Sequence, residues 1–228
     1  MTVHFEPIKD ADPSGVGGYT SHSEAKSSFY RSYGKRLLES AVIIASAPVV
    51  LPVMLLVTVL LLVTGQSPFY FQQRVGRAGK LFTIWKFQTM VSNADAALEA
   101  YLKDNPDARA EWDATQKLKD DPRVTLVGKF LRKSSLDELP QLINVLKGDM
   151  SLIGPRPMLP EQRSLYPGAA YYKLRPGITG PWQVSERNES EFKDRARYDA
   201  GYLRDVSLRE DARLFGRTLG VMVRGTGC

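Results

Sequence analysis

Two adjacent carboxylates, Asp137 and Glu138, stand in the stretch SSLDELPQ (134–141), between a pair of serines and a proline. A carboxylate is ionised at neutral pH and can act as a nucleophile without a separate base. A second acid beside it can hold a divalent cation. The same residues also fit a simpler role. Ser135 and Glu138 have capping-box spacing, in which the two side chains satisfy each other's backbone N–H groups. With Ser135 as N-cap, however, Pro140 would fall at the fifth helical position, where its ring meets a carbonyl one turn back. With Asp137 as N-cap, Pro140 falls within the first turn, where a missing N–H costs nothing. The expectation is therefore a helix from Asp137 to Lys147, closed by Gly148 as C-cap, with both acids at its mouth. Most acids at helix starts only complement the helix dipole, so the pair alone does not separate a cap from a reaction centre.

Arginines in the neighbouring loops bear on that choice. Arg132, Arg156, Arg175 and Arg187 lie in short segments punctuated by Gly and Pro. Arg156, between two prolines in GPRP, can present a planar fork to phosphate oxygens. Singly, each reads as a surface arginine. Jointly, with an acid pair able to hold Mg2+, they suggest a site for a diphosphate substrate.

The elements that must position these residues begin with an apolar run. From Ala41 to Thr64 the chain reads AVIIASAPVVLPVMLLVTVLLLVT, without a charge. A straight helix of that length would reach roughly 36 Å, enough to cross a bilayer core. Pro48 and Pro52 sit one turn apart inside it, and each strips a carbonyl of its helical partner. Basic residues flank both ends: Lys26, Arg31, Lys35 and Arg36 before, Arg74, Arg77, Lys80 and Lys86 after. Positive charge marks the cytoplasmic side, so both ends want the same side. A re-entrant helical hairpin broken at Pro48 and Pro52 satisfies both features, with freed carbonyls met by Ser46 or by packing; a kinked span is the alternative. A secretory signal cleaved after ASA (45–47) reads poorly, because most of the apolar run follows that point.

The remaining composition suits one globular domain plus this segment: 228 residues, 43% hydrophobic, 25% charged, net charge +6. Residues 1–30 are rich in Ser and Gly and read as a disordered tail. The single cysteine, Cys228, leaves no disulfide framework, zinc site or thiol nucleophile to propose. No basic tract, Cys/His finger or RNP-like pattern supports nucleic-acid binding. Phe69–Gln73 and Leu81–Phe87 around GRAG read as a β-hairpin. Residues 92–118 read as two helices broken at Asn105-Pro106. SLIGPRPMLPEQ and LRPGITGPWQVSERN read as loops. The C-terminal SLREDARLFGRTLGVMVRG is an amphipathic helix, either interfacial or packed on the domain. The fold class is thus α+β and helix-rich, with a membrane hairpin at 31–68 and a small domain at 69–228 that carries the acid pair.

KFQTM, LRKSSLDELPQLINVLKGDMSLIGPRPMLPE and LRPGITGPWQVSERN together resemble the bacterial sugar transferase family, the monotopic phosphoglycosyl transferases. The resemblance runs from about Arg31 to the C-terminus and is nearest to the small exopolysaccharide-initiating galactosyl- and glucosyl-phosphate transferases. It implies a UDP-hexose donor, Mg2+ and an undecaprenyl phosphate acceptor. It also implies an aspartate that displaces UMP to form an aspartyl phosphosugar, and a catalytic domain on the cytoplasmic face of the inner membrane. Carried over by position, Asp137 is the nucleophile and Glu138 the Mg2+-associated acid. Arg132 and Arg156 lie near the phosphates, and Arg187 and Asp211 match substrate-binding positions. Two departures stand out. Leu51-Pro52 replaces the family's usual Ser-Pro, and Glu186 precedes Arg187 where many relatives carry Gly. A direct single displacement is the neighbouring mechanism, and a non-catalytic membrane scaffold of polysaccharide assembly is the alternative from another class. Sugar identity and homo-oligomerisation are open at this stage.

Overall fold

The computed structural model describes residues 29–115, 118–185 and 192–223. The expected tail at 1–30 therefore falls almost wholly outside the described residues, as do Glu186, Arg187, Arg224 and Cys228. A π-helical turn, Tyr30–Gly34, leads into α1, Lys35–Val63. The hairpin β1 (Phe69–Val75) and β2 (Leu81–Phe87) follows, then α2 (Ala94–Asp104), α3 (Pro106–Thr115), α4 (Leu126–Lys133) and α5 (Gln141–Lys147). Strand β3 (Ser151–Ile153), α6 (Ala170–Lys173), β4 (Gly177–Thr179), α7 (Arg195–Asp205) and α8 (Leu208–Val223) complete the order.

Tyr30–Val63 is the one stretch among the described residues long and apolar enough to cross a membrane, with a mean hydropathy of 2.6. Helix α1 is continuous through Pro48 and Pro52, so the expected break is not a gap in the helix. Ser46 does not meet the carbonyl freed by Pro48 either. Its hydroxyl donates to the Ile43 carbonyl (2.9 Å), one residue before the Ile44 carbonyl that Pro48 leaves without an N–H. The middle of α1 is bare, with Val49 at 71% and Leu56 at 70% exposure, while both ends pack on the domain. Ile43 joins Ile84, Val145 and Met150; Val57 and Leu61 join Phe87 and Leu131.

A polar clasp fastens the N-terminal end of α1. Buried Glu39 accepts from the Ser151 hydroxyl (2.5 Å) and the Leu152 N–H (3.0 Å), and Lys35 lies 3.3 Å from it. Lys35 also donates to Asp211 (2.5 Å), which accepts from the Tyr30 (2.7 Å) and Tyr202 (2.5 Å) hydroxyls as well. Each charge thus has an opposite partner, which a buried ion must have to persist.

The antiparallel hairpin runs two residues beyond the expected Gln73, in register from Phe69 opposite Phe87 to Val75 opposite Leu81. Asn105 divides α2 from α3, as Pro106 demands, since proline disfavours helical geometry in the residue before it. The two segments read as loops contain a parallel pair, Ser151 opposite Gly177 and Ile153 opposite Thr179. Three-residue strands show no alternation to detect, and their pairing depends on glycine. A Cβ on Gly154 would lie 2.9 Å from the Gly177 nitrogen, inside any real contact. Helix α8 forms as expected. Leu214 and Asp211 face the domain, while Phe215 and Leu219 are exposed.

Candidate active site

The acid pair sits in a turn between two helices. Helix α4 starts at the cap Thr125, whose side chain accepts from the Gly128 N–H (3.0 Å), and ends at Lys133. Ser135 then adopts a left-handed conformation, φ +57°, which costs a non-glycine residue about 1–2 kcal/mol. Leu136–Glu138 form a single 3-10 turn, and α5 begins only at Gln141, with Pro140 in the N-cap position. One expectation is corrected here: Asp137 is not the N-cap of a helix beginning there, while Ser135, as the reading that set the capping box aside implied, forms no capping bond. Gly148 closes α5 in the left-handed conformation as expected, φ +87°. The reason is packing: Leu136 and Leu139, on either side of the acids, are drawn into the cluster of Leu61, Phe87 and Leu131. Strain at Ser135 persists because that cluster over-determines the turn.

Facing the turn is β2. Asn144 of α5, fully buried, accepts from the Trp85 N–H (3.0 Å) and donates to the Thr83 carbonyl (2.8 Å), taking the place of a third strand. That lock sets Lys86 over the acids, with Nζ 2.8 Å from Glu138 Oε1 and 3.9 Å from Asp137 Oδ2. On the other side Arg132 donates from Nε to Thr89 Oγ1 (3.0 Å). Its helix can approach that closely because Gly128 has no side chain. A Cβ there would lie 2.8 Å from the Thr89 carbonyl carbon.

Asp137 is only 9% exposed. Burial holds its carboxyl above the usual carboxylate range and Glu138 adds to the rise, while Lys86 and Arg132 pull against both. A partly desolvated carboxylate between two cations is held away from water by the protein and neutralised by fixed charges, the arrangement a carboxylate nucleophile needs when it approaches phosphate.

The other sequence-chosen arginines do not converge on this pair. Arg175 donates to the Gly148 carbonyl (3.0 Å), and its charge is felt by Arg36 and Arg77. Arg156 lies in the field of Arg74 and Arg195. Asp211 is tied into the clasp with Tyr30, Lys35 and Tyr202, and none of Asp137's neighbours is among its partners. Arg187 lies outside the described residues. Lys86 is the candidate site residue that spacing missed. It had counted only as flanking positive charge, although its position inside KFQTM was a usable signal. Among the described residues no group of three or more Asp, Glu, His or Cys could hold a metal. Two adjacent carboxylates do fit the way Mg2+ is commonly held, by one or two acids with substrate phosphates and water filling the remaining positions.

A family model described as "Bacterial sugar transferase" matches residues 30–225. The chain is 41% identical over 195 residues to a UDP-galactose-lipid carrier transferase of Erwinia amylovora, covering 85% of this chain and 41% of that protein. It is 48% identical over 165 residues to an undecaprenyl-phosphate galactose phosphotransferase of Salmonella typhimurium, covering 72% of this chain and 35% of that one. The chain therefore aligns with well under half of either relative. The exopolysaccharide production protein ExoY of Sinorhizobium fredii is 43% identical over 193 residues, which is 84% of both chains.

Proposed function

The chain belongs to the bacterial sugar transferase family, and from that premise we propose that it moves a hexose-1-phosphate, galactose or glucose, from a UDP-sugar to undecaprenyl phosphate. The reaction would be a first step of exopolysaccharide assembly. The observation that carries this reading is Asp137: buried, next to Glu138, and bracketed by Lys86 and Arg132. In the proposed mechanism an Asp137 oxygen attacks the phosphorus bearing the sugar. The bond from that phosphorus to the bridging oxygen breaks, and UMP leaves with the electron pair. An oxygen of the lipid phosphate then attacks the same phosphorus and releases the Asp137 carboxylate unchanged. Lys86 and Arg132 neutralise the equatorial oxygens as charge spreads over them, and Arg156 binds phosphate away from the reacting centre. Glu138 would hold Mg2+, which would supply further neutralisation of the diphosphate when bound.

Placement on the cytoplasmic face of the inner membrane draws on α1. An unbent helix would separate Ile43 from Leu61 by about 27 Å, yet the two pack near Ile84 and Phe87, about 10 Å apart on one strand. Both ends of the helix joining clusters of the same domain favours a re-entrant hairpin over a span, with the exposed residues near Pro48 and Pro52 dipping into lipid. A cysteine placed just before Tyr30 should be labelled from the cytoplasmic side; labelling from the periplasm sinks the hairpin.

The decisive experiment is a panel of radiolabelled UDP-sugars incubated with the purified protein and magnesium. UMP release identifies the donor, and acid-quenched protein should carry label on Asp137. Absence of label combined with near-wild-type turnover of Asp137→Asn would exclude the covalent route in favour of single displacement. No UMP release from any donor would leave the scaffold reading.

A further inference from the structure

Three arginines outside the acid turn are gathered by the fold without a counter-ion among the described residues. The end of β1 is stitched to the GPRP segment. The Val75 N–H donates to the Met158 carbonyl (3.0 Å), the Arg74 guanidinium to the Pro157 carbonyl (3.3 Å), and the Tyr171 hydroxyl to the Val75 carbonyl (2.5 Å). Arg74 is thereby set beside Arg156. GPRP is in turn bound to the next loop through the Gly154 N–H on the Thr179 carbonyl and the Gly177 N–H on the Pro155 carbonyl, both 2.8 Å. That loop delivers Trp182, and the Arg195 guanidinium lies 4.1 Å from its ring centroid and 4.4 Å from that of Phe192.

Arg74, Arg156 and Arg195 are half-buried, and cations drawn partly out of water ordinarily come with acids. Among the described residues, none of these three has a carboxylate within ion-pair distance. The Nε atoms of Arg74 and Arg195 are buried with no hydrogen-bond partner among the described residues. Asp199 is the acid that Arg195 feels most, but it already accepts from the Tyr166 hydroxyl (2.8 Å). Burial raises Asp199 to about 7, which weakens it as a counter-ion near neutrality. Arg195 is brought down to about 10 by burial and by Arg156 and Arg74, and so remains charged. Arg195 stacked on Trp182 could be packing alone. Packing does not account for three mutually repelling cations with donors left over, since an apolar side chain would fill the space without that cost.

We propose that Arg74, Arg156 and Arg195 form a second phosphate-binding subsite, apart from the Lys86–Arg132 pair, with Trp182 and Phe192 fixing the Arg195 fork. It holds a phosphate group of one of the two substrates: the nucleotide's diphosphate or the phosphate of the lipid acceptor. The choice between these rests on the transfer reading above; anion binding by the three arginines does not.

The test uses the full chain in nanodiscs, with pyrophosphate as probe and thermal unfolding as readout, followed by initial-rate kinetics with both substrates varied. Pyrophosphate should raise the unfolding temperature of the wild type. Arg195→Gln and Arg74→Gln should each need about tenfold more pyrophosphate for the same shift, the effect of losing one charge-assisted hydrogen bond, and Arg195→Lys should fall between. In kinetics, about a tenfold rise in KM for UDP-hexose assigns the subsite to the nucleotide, and the same rise for undecaprenyl phosphate assigns it to the lipid. If the variants keep the wild-type pyrophosphate response and both KM values, whatever their own unfolding temperature, the arginines are packing and the proposal fails. If no UDP-sugar is turned over but the pyrophosphate response still depends on Arg195, the transfer reading fails and the subsite stands.

Discussion

Replacing Gly128 by alanine tests how the acid turn is held. The new Cβ would lie 2.8 Å from the Thr89 carbonyl carbon and 2.9 Å from its Cα, with the carbonyl oxygen nearer still, where ordinary contact is 3.4–4 Å. All three atoms are backbone, so α4 must retreat by on the order of 1 Å. The bonds that cross that gap include the Thr125 N–H to the Thr89 carbonyl (3.1 Å) and Arg132 Nε to Thr89 Oγ1 (3.0 Å). Losing the neutral one costs about 1 kcal/mol and the charged one about 2 kcal/mol. Overpacking adds about 1–3 kcal/mol, and alanine returns about 1 kcal/mol of helix propensity. The expected net loss is about 3–5 kcal/mol, a fall in unfolding temperature of about 6–20 °C for a chain of this size. Because Arg132 stands one turn beyond Gly128, turnover should fall about 100-fold even well below the unfolding temperature. Urea denaturation and UMP release measure the two effects. Wild-type stability and turnover in Gly128→Ala would refute the idea that contact with Thr89 sets Arg132.

Other substitutions probe separate features. Gly201→Ala, inside α7 with nothing within 4 Å of the new Cβ, should stabilise by up to about 1 kcal/mol in urea denaturation; a loss would mean that α7 packs more tightly there. Lys86→Gln removes the 2.8 Å partner of Glu138 and should lower kcat by about 100-fold or more, with a smaller change in donor KM; unaltered kcat would remove Lys86 from the site. Asp199, raised from 3.8 to about 7 by burial, is protonated below pH 3.8 whether folded or unfolded, whereas between 3.8 and about 7 only the unfolded chain is ionised. Stability should therefore fall as pH rises through that window, by on the order of a few kcal/mol. In Asp199→Asn, which keeps an acceptor for Tyr166, the fall should vanish; equal pH slopes in denaturation for the two proteins would contradict it.

Much of this protein could be read from local chemistry. Aromatic and β-branched residues either side of GRAG point to the β1–β2 hairpin, short by two residues at the end of β1, Pro106 divides α2 from α3, Gly148 ends α5, and an uncharged run specifies α1, because each signal acts within a few residues of its effect. The acid pair and Arg156 were likewise visible as residue types in a family-specific pattern. What the tertiary structure decided is how those residues are grouped. Leu136 and Leu139 are pulled into a cluster with Leu61, Phe87 and Leu131, and that long-range burial overrides the local preference for a helix cap at Asp137, leaving a 3-10 turn instead. Lys86 reaches Glu138 across 52 residues, and Arg156 joins Arg74 and Arg195 rather than Asp137. Asp211, near the end of the chain, is spent on Lys35 near its start. Local sequence determines which backbone conformations are cheap, but which charges meet is settled by the packing of distant apolar side chains.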